Sequence, residues 1–247
     1  MTNTNSEKSR NKKTIAIVAL LLVLVLLLCL GGYTMSKYIN SGSGSASASV
    51  AKWGYTVTVD TANLFGENYK GNVVDNVTAD AAQLEVKSSS TGTNVVAPGT
   101  TGSMTIKVEG KAEVASKLTI SVKDGYTDVA LNLGESTYNP VKWTLNNGTT
   151  DVVDGGTLAD VVTALKTTET YNPGQEVSVN YTLSWTWAFS GAFDGYNADV
   201  LDTALGQIAN GTAVSSVVNS EGATVNVTGS STAIAFELTA SIEQIER

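Results

Sequence analysis

Apolar and polar residues alternate strictly in one long segment of the chain, and this pattern constrains the fold more than any other feature. Val177, Val179, Tyr181, Leu183, Trp185 and Trp187 alternate with residues that are mostly Ser, Asn and Thr. A period of two residues is typical of a β-strand with one buried face. The same alternation recurs at 53–59, 104–109, 118–123, 129–133, 141–145 and 234–242. The sequence therefore predicts a mainly β protein.

Turn-forming residues separate these predicted strands. Gly, Asn and Pro supply the backbone conformations that chain reversals need, and they occur at 97–99, 123–125, 146–148, 154–156 and 172–174. Many short strands with turns between them are typical of sandwiches and jelly rolls. We therefore predict a jelly-roll-like antiparallel β-sandwich.

Two segments depart from the strand pattern and have helical periodicity instead. Thr157 and Asp160 can cap a short helix that runs through Lys166 and buries apolar residues on one face. A second helix is predicted over 199–208, and an Asn-Gly pair follows it. The prediction is thus a β-sandwich with two short helices.

The four tryptophans lie in phase with the apolar residues of their own strands. They are Trp53, Trp143, Trp185 and Trp187. A large aromatic side chain stabilises a fold most when it is buried, so we predict that all four point into the core. The alternative is an aromatic platform for sugars, which would make the chain a carbohydrate-binding jelly-roll module.

The first 36 residues have the composition of an export signal. Four basic residues precede an uncharged apolar run at 15–30, and small and polar residues follow it. A secretion translocase recognises a basic region, an apolar helix and a short segment of small residues in this order. The alternative is an uncleaved membrane anchor, because the run extended to Met35 is just long enough to span a bilayer.

The chain after this signal helix divides into two parts. Residues 40–49 are only Asn, Ser, Gly and Ala, which cannot bury apolar surface by themselves. We therefore predict a signal peptide at 1–36, a flexible arm at 37–49, and a β-sandwich domain at 50–247.

Composition favours an extracellular protein that is not an enzyme. After the leader there are 11 basic and 22 acidic residues, a net charge of about −11, which opposes binding to nucleic acid. The chain has no histidine, which excludes a histidine-ligated zinc peptidase and a Ser-His-Asp triad. Its single cysteine, Cys29, lies in the leader. Acid pairs such as Glu109 with Glu113 arise by chance in so acidic a chain, and we assign no catalytic residue.

One acidic segment offers ligands for a hard cation. Asp194, Asn197, Asp199 and Asp202 place four carboxylate or amide groups within nine residues, and Ca²⁺ prefers such oxygen ligands. A structural Ca²⁺ is the only cofactor that the sequence suggests. The alternative is a capped helix whose acidic first turn is solvated and favoured by the helix dipole.

Further motifs lie near the N-terminus and along the domain. After the basic leader come Gly31-Gly32-Tyr33-Thr34, Tyr38, the small-residue spacer and Val50-Ala51-Lys52-Trp53. The segment Val96-Ala97-Pro98-Gly99-Thr100-Thr101-Gly102-Ser103 precedes a strand that ends at Gly110. Later, Trp185-Thr186-Trp187-Ala188-Phe189 is followed by an acidic helix that starts at Asp199. Together these motifs resemble the TasA/camelysin family of secreted proteins from Gram-positive bacteria.

The resemblance implies a secreted jelly-roll subunit of extracellular fibres, located in a biofilm matrix or at the cell surface. In that family the N-terminal arm of one subunit fills a groove in the next, and a dedicated signal peptidase of the SipW type removes the leader. The implied partners are other copies of the chain and this peptidase. The implied membrane contact is only through the leader before cleavage. The metallopeptidase activity described for camelysin-like members is not carried over, because no histidine can ligate zinc.

By the same resemblance, the leader is cut between Ser36 and Lys37. Ser36 is then the small residue before the cut, and Lys37 is the new N-terminus. Ala46 and Ala48 are rival cleavage sites.

The arm that cleavage would release is predicted to act as a donor strand. Its large side chains, Tyr38 and Ile39, would anchor it in a neighbouring subunit, and Lys37 and Val50 mark its two ends. A disordered tail is the alternative for this segment. For the whole protein, the alternative is a monomeric cell-surface adhesin.

Overall fold

The alternating segments form β-strands that pair in antiparallel sheets. The computed structural model describes residues 49–70 and 85–246 of the chain. Its strands are β1 (Trp53–Asp60), β2 (Asn68–Lys70), β3 (Glu85–Lys87), β4 (Thr101–Ala112), β5 (Ser116–Val122), β6 (Ala130–Leu133), β7 (Ser136–Tyr138), β8 (Val141–Asn146), β9 (Asp151–Gly156), β10 (Thr167–Tyr171), β11 (Glu176–Trp187), β12 (Ala192–Phe193), β13 (Tyr196–Asn197), β14 (Ser216–Val218), β15 (Thr224–Ser231) and β16 (Leu238–Gln244). Two helices lie between them, α1 (Leu158–Leu165) and α2 (Ala198–Ala209). The protein is mainly β, as the alternation predicted.

The longest alternating segment, β11, is the centre of a five-stranded sheet with the order β1-β4-β11-β8-β9. Leu183 lies opposite Met104 on one side and Leu145 on the other, and Trp185 lies opposite Trp143. All five side chains are buried. The apolar face of this sheet therefore forms one wall of the core.

A second layer of strands supplies the other wall. Its sheets have the orders β10-β5-β16 and β14-β15-β6-β7. The pairing of β5 with β16 continues through a bridge between Thr127 and Ala235 into the pairing of β6 with β15. Buried residues of both layers belong to one apolar cluster, such as Ile106 in β4, Ile120 in β5 and Leu131 in β6. This arrangement is compatible with a β-sandwich.

Helix α1 is confirmed with its predicted cap and its predicted buried face. The Thr157 hydroxyl accepts a hydrogen bond from the Asp160 amide, and the Asp160 carboxylate accepts one from the Thr157 amide. Helix α2 begins one residue earlier than predicted, because the Asn197 side chain accepts a hydrogen bond from the Asp199 amide (3.1 Å) and caps the first turn.

Each helix is attached to the five-stranded sheet by an aspartate that binds a buried tryptophan. The Asp128 carboxylate accepts hydrogen bonds from Trp143 Nε1 (3.1 Å) and from the amide of Leu158 (3.2 Å), the first residue of α1. On α2, Asp202 Oδ1 accepts from Trp187 Nε1 at 3.2 Å. A buried indole N–H needs an acceptor, so these aspartates make it possible to bury the tryptophans.

One strand prediction and one turn prediction need correction. The last strand begins at Leu238, not at 234, because the chain before it forms only the isolated bridge at Ala235. The predicted turn at 154–156 lies within β9. There the register with β8 is irregular, and Gly155 (φ +62°) supplies the backbone conformation of a bulge.

The predicted signal helix at 1–36 lies outside the described residues, as does the arm except for its last residue. In the part of the chain that is described, no helix is long and apolar enough to cross a membrane. Ala51–Arg247 forms one compact unit.

Candidate assembly surface

Strand β1 has an apolar face that the rest of the subunit leaves half-exposed. It lies at the edge of the five-stranded sheet and pairs with β4; within the described residues it has no other ladder. Trp53, Val57 and Val59 are 45%, 37% and 39% exposed. Tyr55 is the one partly buried residue of this face, so the prediction that β1 buries its apolar face is wrong for the other three, because the second layer covers this edge only in part.

Three of the four tryptophans are buried as predicted, and Trp53 is the exception. Its ring packs edge-on against that of Tyr55, with 5.1 Å between centroids and 83° between planes. A sugar platform built from several surface tryptophans is consequently not formed. Trp53 instead marks the first residue of the half-exposed edge.

Strand β16 is a second edge strand, and it lies beside β1. It pairs with β5 and, among the described residues, with no other strand. Leu238, Ala240 and Ile242 alternate with exposed polar residues and are half-buried. β1 and β16 thus border an open side of the sandwich, which we call the groove.

The two strands that border the groove run in opposite directions. Near the start of β1, the Tyr55 hydroxyl is 2.8 Å from Ser116 Oγ, and Ser116 pairs with Gln244 at the end of β16. Near the end of β1, Val59 lines the same cleft as Leu238, the first residue of β16. The start of β1 therefore faces the end of β16, and the end of β1 faces its start.

Two connected clefts lie at the Val59 end of the groove. The first has a volume of about 330 Å³ and lies between Val59, Leu64 and Phe236. The second, of about 290 Å³, shares Phe65 and Ile234 with the first. All described residues that line the two clefts are uncharged. The first cleft is lined mainly by apolar residues and the second also by Asn94 and Thr232, and exposed apolar surface commonly marks an interaction site.

The chain enters β1 from a fixed position. The Lys52 amide donates to the Glu113 carboxylate at 2.9 Å, and the Glu113 amide donates to the Lys52 carbonyl at 2.9 Å. Two residues earlier, Val50 is 92% exposed.

The other residues predicted for processing and donation lie outside the described residues. These are Ser36, Lys37, Tyr38 and Ile39, and their roles stay predictions.

The four candidate calcium ligands have separate contacts. Asp194 accepts a hydrogen bond from the Ser136 hydroxyl at 2.6 Å, Asn197 caps α2, Asp199 is exposed and Asp202 binds Trp187. Among the described residues, no group of three or more acidic or thiol side chains could hold a metal ion. These contacts match the alternative of a capped helix, and the calcium site stays a prediction.

Asp202 is the most strongly perturbed acid in the described structure. Its Oδ1 accepts from the Tyr138 hydroxyl at 2.8 Å as well as from Trp187, while its Oδ2 is buried and has no hydrogen-bond partner among the described residues. Burial raises the pKa of Asp202 to about 6, although the two hydrogen bonds act in the opposite direction. In the sequence, the burial of Asp202 was indicated by its position in the predicted second helix, next to the apolar Leu201.

Glu109 and Glu113, which form an acid pair in the sequence, each contact a different residue. Glu109 forms an ion pair with Lys107 at 2.8 Å, and Glu113 accepts the hydrogen bond from the Lys52 amide. Both contacts are exposed; the first lies within β4, and the second joins the chain just before β1 to the chain just after β4.

No protein-family model, curated protein or solved structure matches this chain. What it does is therefore inferred from the groove and from the motifs of its sequence.

Proposed function

We propose that this chain is the secreted subunit of an extracellular fibre, in which each subunit donates its N-terminal arm to the next. The observation that carries the proposal is the groove, where two edge strands face each other with half-exposed apolar side chains. An arm that enters it would bind main-chain groups of an edge strand and cover those side chains, which is β-augmentation. It would also remove an exposed sheet edge that could otherwise aggregate.

Head-to-tail donation explains why the product would be a fibre. The arm and the groove are different surfaces, so the contact is heterologous and generates an open filament unless its rotation closes a ring. An arm still fused to a membrane helix could not enter a neighbour. Removal of the leader at 1–36 by a dedicated signal peptidase is therefore part of the proposal.

The finer description of the fold as a jelly roll and the relation to TasA/camelysin proteins belong to the same proposal. The motifs from Gly31 to Trp53 and from Val96 to Gly110 support both. The leader supports location in the extracellular matrix or at the cell surface. The acidic charge after the leader argues against nucleic acid as a partner, and the absence of histidine supports a structural role over an enzymatic one.

The direct test is a charge placed on the acceptor side of the groove. Val57→Lys changes a residue that is 37% exposed, so we expect the chain to fold, to be secreted and to form no fibres by electron microscopy. Val152→Lys is the matched control, since Val152 is 47% exposed on β9, the opposite edge of the same sheet. Circular dichroism of both secreted proteins checks the fold.

Normal fibres from Val57→Lys would contradict the proposal. If the unsubstituted chain forms only monomers and its tryptophan fluorescence changes with cell-wall glycans, the adhesin alternative holds instead.

A further inference from the structure

Strand β14 lies at the edge of its sheet, and one side of its main chain has no partner strand. It pairs with β15 and, within the described residues, with no other strand. The Asn219 amide, directly after β14, donates to the Ala223 carbonyl at 2.9 Å, so Asn219 and Val217 are the positions that bond towards β15. Residues between such positions point their main-chain groups away from the partner strand. The N–H and C=O groups of Ser216 and Val218 therefore lie on the free edge.

Helix α2 lies beside this edge, and the two elements enclose a cleft of about 470 Å³, which we call the helix-strand cleft. Val214 and β14 form its strand side, and Val200, Thr203 and Gln207 on the exposed face of α2 contribute to its helix side. Val200 and Val218 are 41% and 50% exposed, so both sides carry uncovered valines. None of the described residues lines both this cleft and either cleft of the groove. The helix-strand cleft is therefore a separate surface.

The surroundings of the helix-strand cleft are acidic. Between residues 188 and 231 the chain has four acidic residues and no Lys or Arg. Asp199 lines the cleft, and Glu221 lies in the exposed turn that follows β14. This turn is held against the β12–β13 turn by a hydrogen bond of 2.8 Å from the Ser220 amide to the Gly195 carbonyl. Charge complementarity therefore favours a basic partner.

We propose that the helix-strand cleft binds an extended, basic segment of another protein, which adds a strand to β14. The main chain of that segment bonds the free groups of Ser216 and Val218, its apolar side chains cover the exposed valines, and its Lys or Arg residues face Asp199 and Glu221. This is β-augmentation, with charge as the source of specificity. Because β14 has three residues, about 10 Å of strand, α2 supplies the second wall of the site.

A second copy of this chain fits the cleft less well than a basic partner. Edge-to-edge pairing of two β14 strands about a two-fold axis is isologous, so it would bring two acidic rims together. Like charges that face each other are destabilising. The site consists only of described residues and is separate from the groove, so it does not depend on fibre assembly.

The test measures the fluorescence anisotropy of a labelled synthetic peptide, in which valine and lysine alternate, during titration with the full exported chain. Low salt is used because salt screens exposed charges. One control peptide has glutamate in place of lysine. The other keeps every side chain but is N-methylated along its main chain, so it cannot donate hydrogen bonds to β14. We expect the first peptide to bind and each control to bind about tenfold more weakly, because charge attraction or main-chain bonds are lost.

Ser216→Pro removes one N–H that faces the cleft and leaves the ladder with β15 intact, since proline is tolerated where the N–H of an edge strand faces solvent. We expect this variant to bind the peptide about tenfold more weakly. Ser216→Ala is the matched control, because it keeps the N–H and should bind as the unsubstituted chain does. Circular dichroism of both variants checks the fold.

Val218→Lys places a positive charge in the cleft, so it should also bind the basic peptide more weakly. Val152→Lys, at an exposed valine of β9, is its control. This pair keeps the test decisive if Ser216→Pro fails to fold.

The acidic rim is tested by Asp199→Asn combined with Glu221→Gln, which should weaken binding most at low salt. Asp124→Asn combined with Glu176→Gln removes the same charge from exposed positions elsewhere and should leave binding unchanged. Equal binding by the two double variants would overturn the basic partner.

The other outcomes are equally distinct. Equal binding of the N-methylated peptide would overturn the added strand, and absence of binding by the valine–lysine peptide would overturn the site, as would equal binding by Val218→Lys and Val152→Lys. If size-exclusion chromatography shows dimers that Val218→Lys dissociates, the cleft binds a second copy instead of a basic partner. Val218→Lys should form normal fibres, so failure of this test is distinguishable from failure of the proposed function.

Discussion

At the scale of single residues, Asp128 and Asp202 link the helices to the sheet at a cost in electrostatic energy. Burial raises the pKa of Asp128, against the hydrogen bonds that it accepts from backbone amides and Trp143. Burial also raises the pKa of Asp202. A carboxyl whose pKa is higher in the folded state disfavours folding once it ionises. These two contacts therefore position the helices more than they stabilise the fold at neutral pH.

The Asp202 carboxyl predicts a pH dependence of stability. Below its ordinary pKa of 3.8 the group is protonated in both states, between 3.8 and about 6 only the unfolded chain ionises it, and above about 6 the folded state bears the full cost. We expect the free energy of unfolding to rise by about 2 kcal/mol from Asp202 alone as the pH falls from 7 to 4, a value reduced for partial solvation. Urea unfolding followed by fluorescence across this range measures it.

Asp202→Asn should remove the contribution of Asp202 to the pH dependence of the free energy of unfolding. The dependence that remains includes the contribution of Asp128, which has the same sign. Glu221→Gln, an exposed change in the turn before β15, is the control and should leave this pH dependence as it was, whereas the charge of Asp199 itself helps to raise the pKa of Asp202. If the free energy of unfolding depended on pH equally in the unsubstituted chain and in Asp202→Asn, the assignment of this effect to Asp202 would be contradicted.

Gly102 offers a second prediction at this scale. A Cβ at this position would lie 2.0 Å from the Leu64 carbonyl oxygen and 2.6 Å from Trp185 Nε1, and these two atoms share a buried hydrogen bond of 2.7 Å. We expect Gly102→Ala to lower the free energy of unfolding by about 2–3 kcal/mol, because the chain must shift and that bond is disturbed.

Gly206→Ala is the contrasting change, since a Cβ on this face of α2 has no atom within 4 Å. Alanine should raise the free energy of unfolding by up to about 1 kcal/mol through helix propensity. Thermal unfolding of the two variants, followed by circular dichroism, should shift in opposite directions; a shift in the same direction would refute the close approach at Gly102.

At the scale of elements, alternation identified the central strands and helical periodicity identified both helices. The alternation could not show that β1 stays half-exposed. A period of two residues indicates which residues share a face, but not whether another layer covers that face. Strand β9 was missed because Asp154 and the glycines around it match a turn pattern. Strand β15 was missed because Val225 and Val227 alone are too few apolar residues to make the alternation visible.

The cap of α1 gives a prediction about one element. Thr157→Ala removes the acceptor for the Asp160 amide, so we expect a loss of about 1 kcal/mol in the free energy of unfolding. Thr163→Ala on the same helix is the control, because its hydroxyl only donates to the Ala159 carbonyl and alanine favours the helix. Denaturant unfolding should separate the two variants. A cost as large for Thr163→Ala would show that the cap adds nothing specific.

At the scale of the whole molecule, the sequence and the structure contribute different halves of the assembly hypothesis. The leader and the small-residue arm are visible only in the sequence, since they lie outside the described residues. The groove is visible only in the structure, because β1 and β16 lie at opposite ends of the domain sequence and meet through the antiparallel ladders of two layers. The sequence could therefore predict a donor without predicting where it binds.

A chain that can donate its arm but cannot accept another should stop fibre growth. Val57→Lys keeps its arm, so it can bind the open groove at one end of a fibre. Its own groove then cannot bind the arm of the next subunit. Secreted together with the unsubstituted chain at about one part in ten, it should shorten the fibres seen by electron microscopy far more than dilution does, because each heterologous contact depends on the one before it. Val152→Lys at the same ratio should leave the length distribution unchanged. If both mixtures gave fibres of equal length, subunits would have to join through a surface other than β1, since a blocked acceptor can be tolerated only where the groove is not the point of attachment.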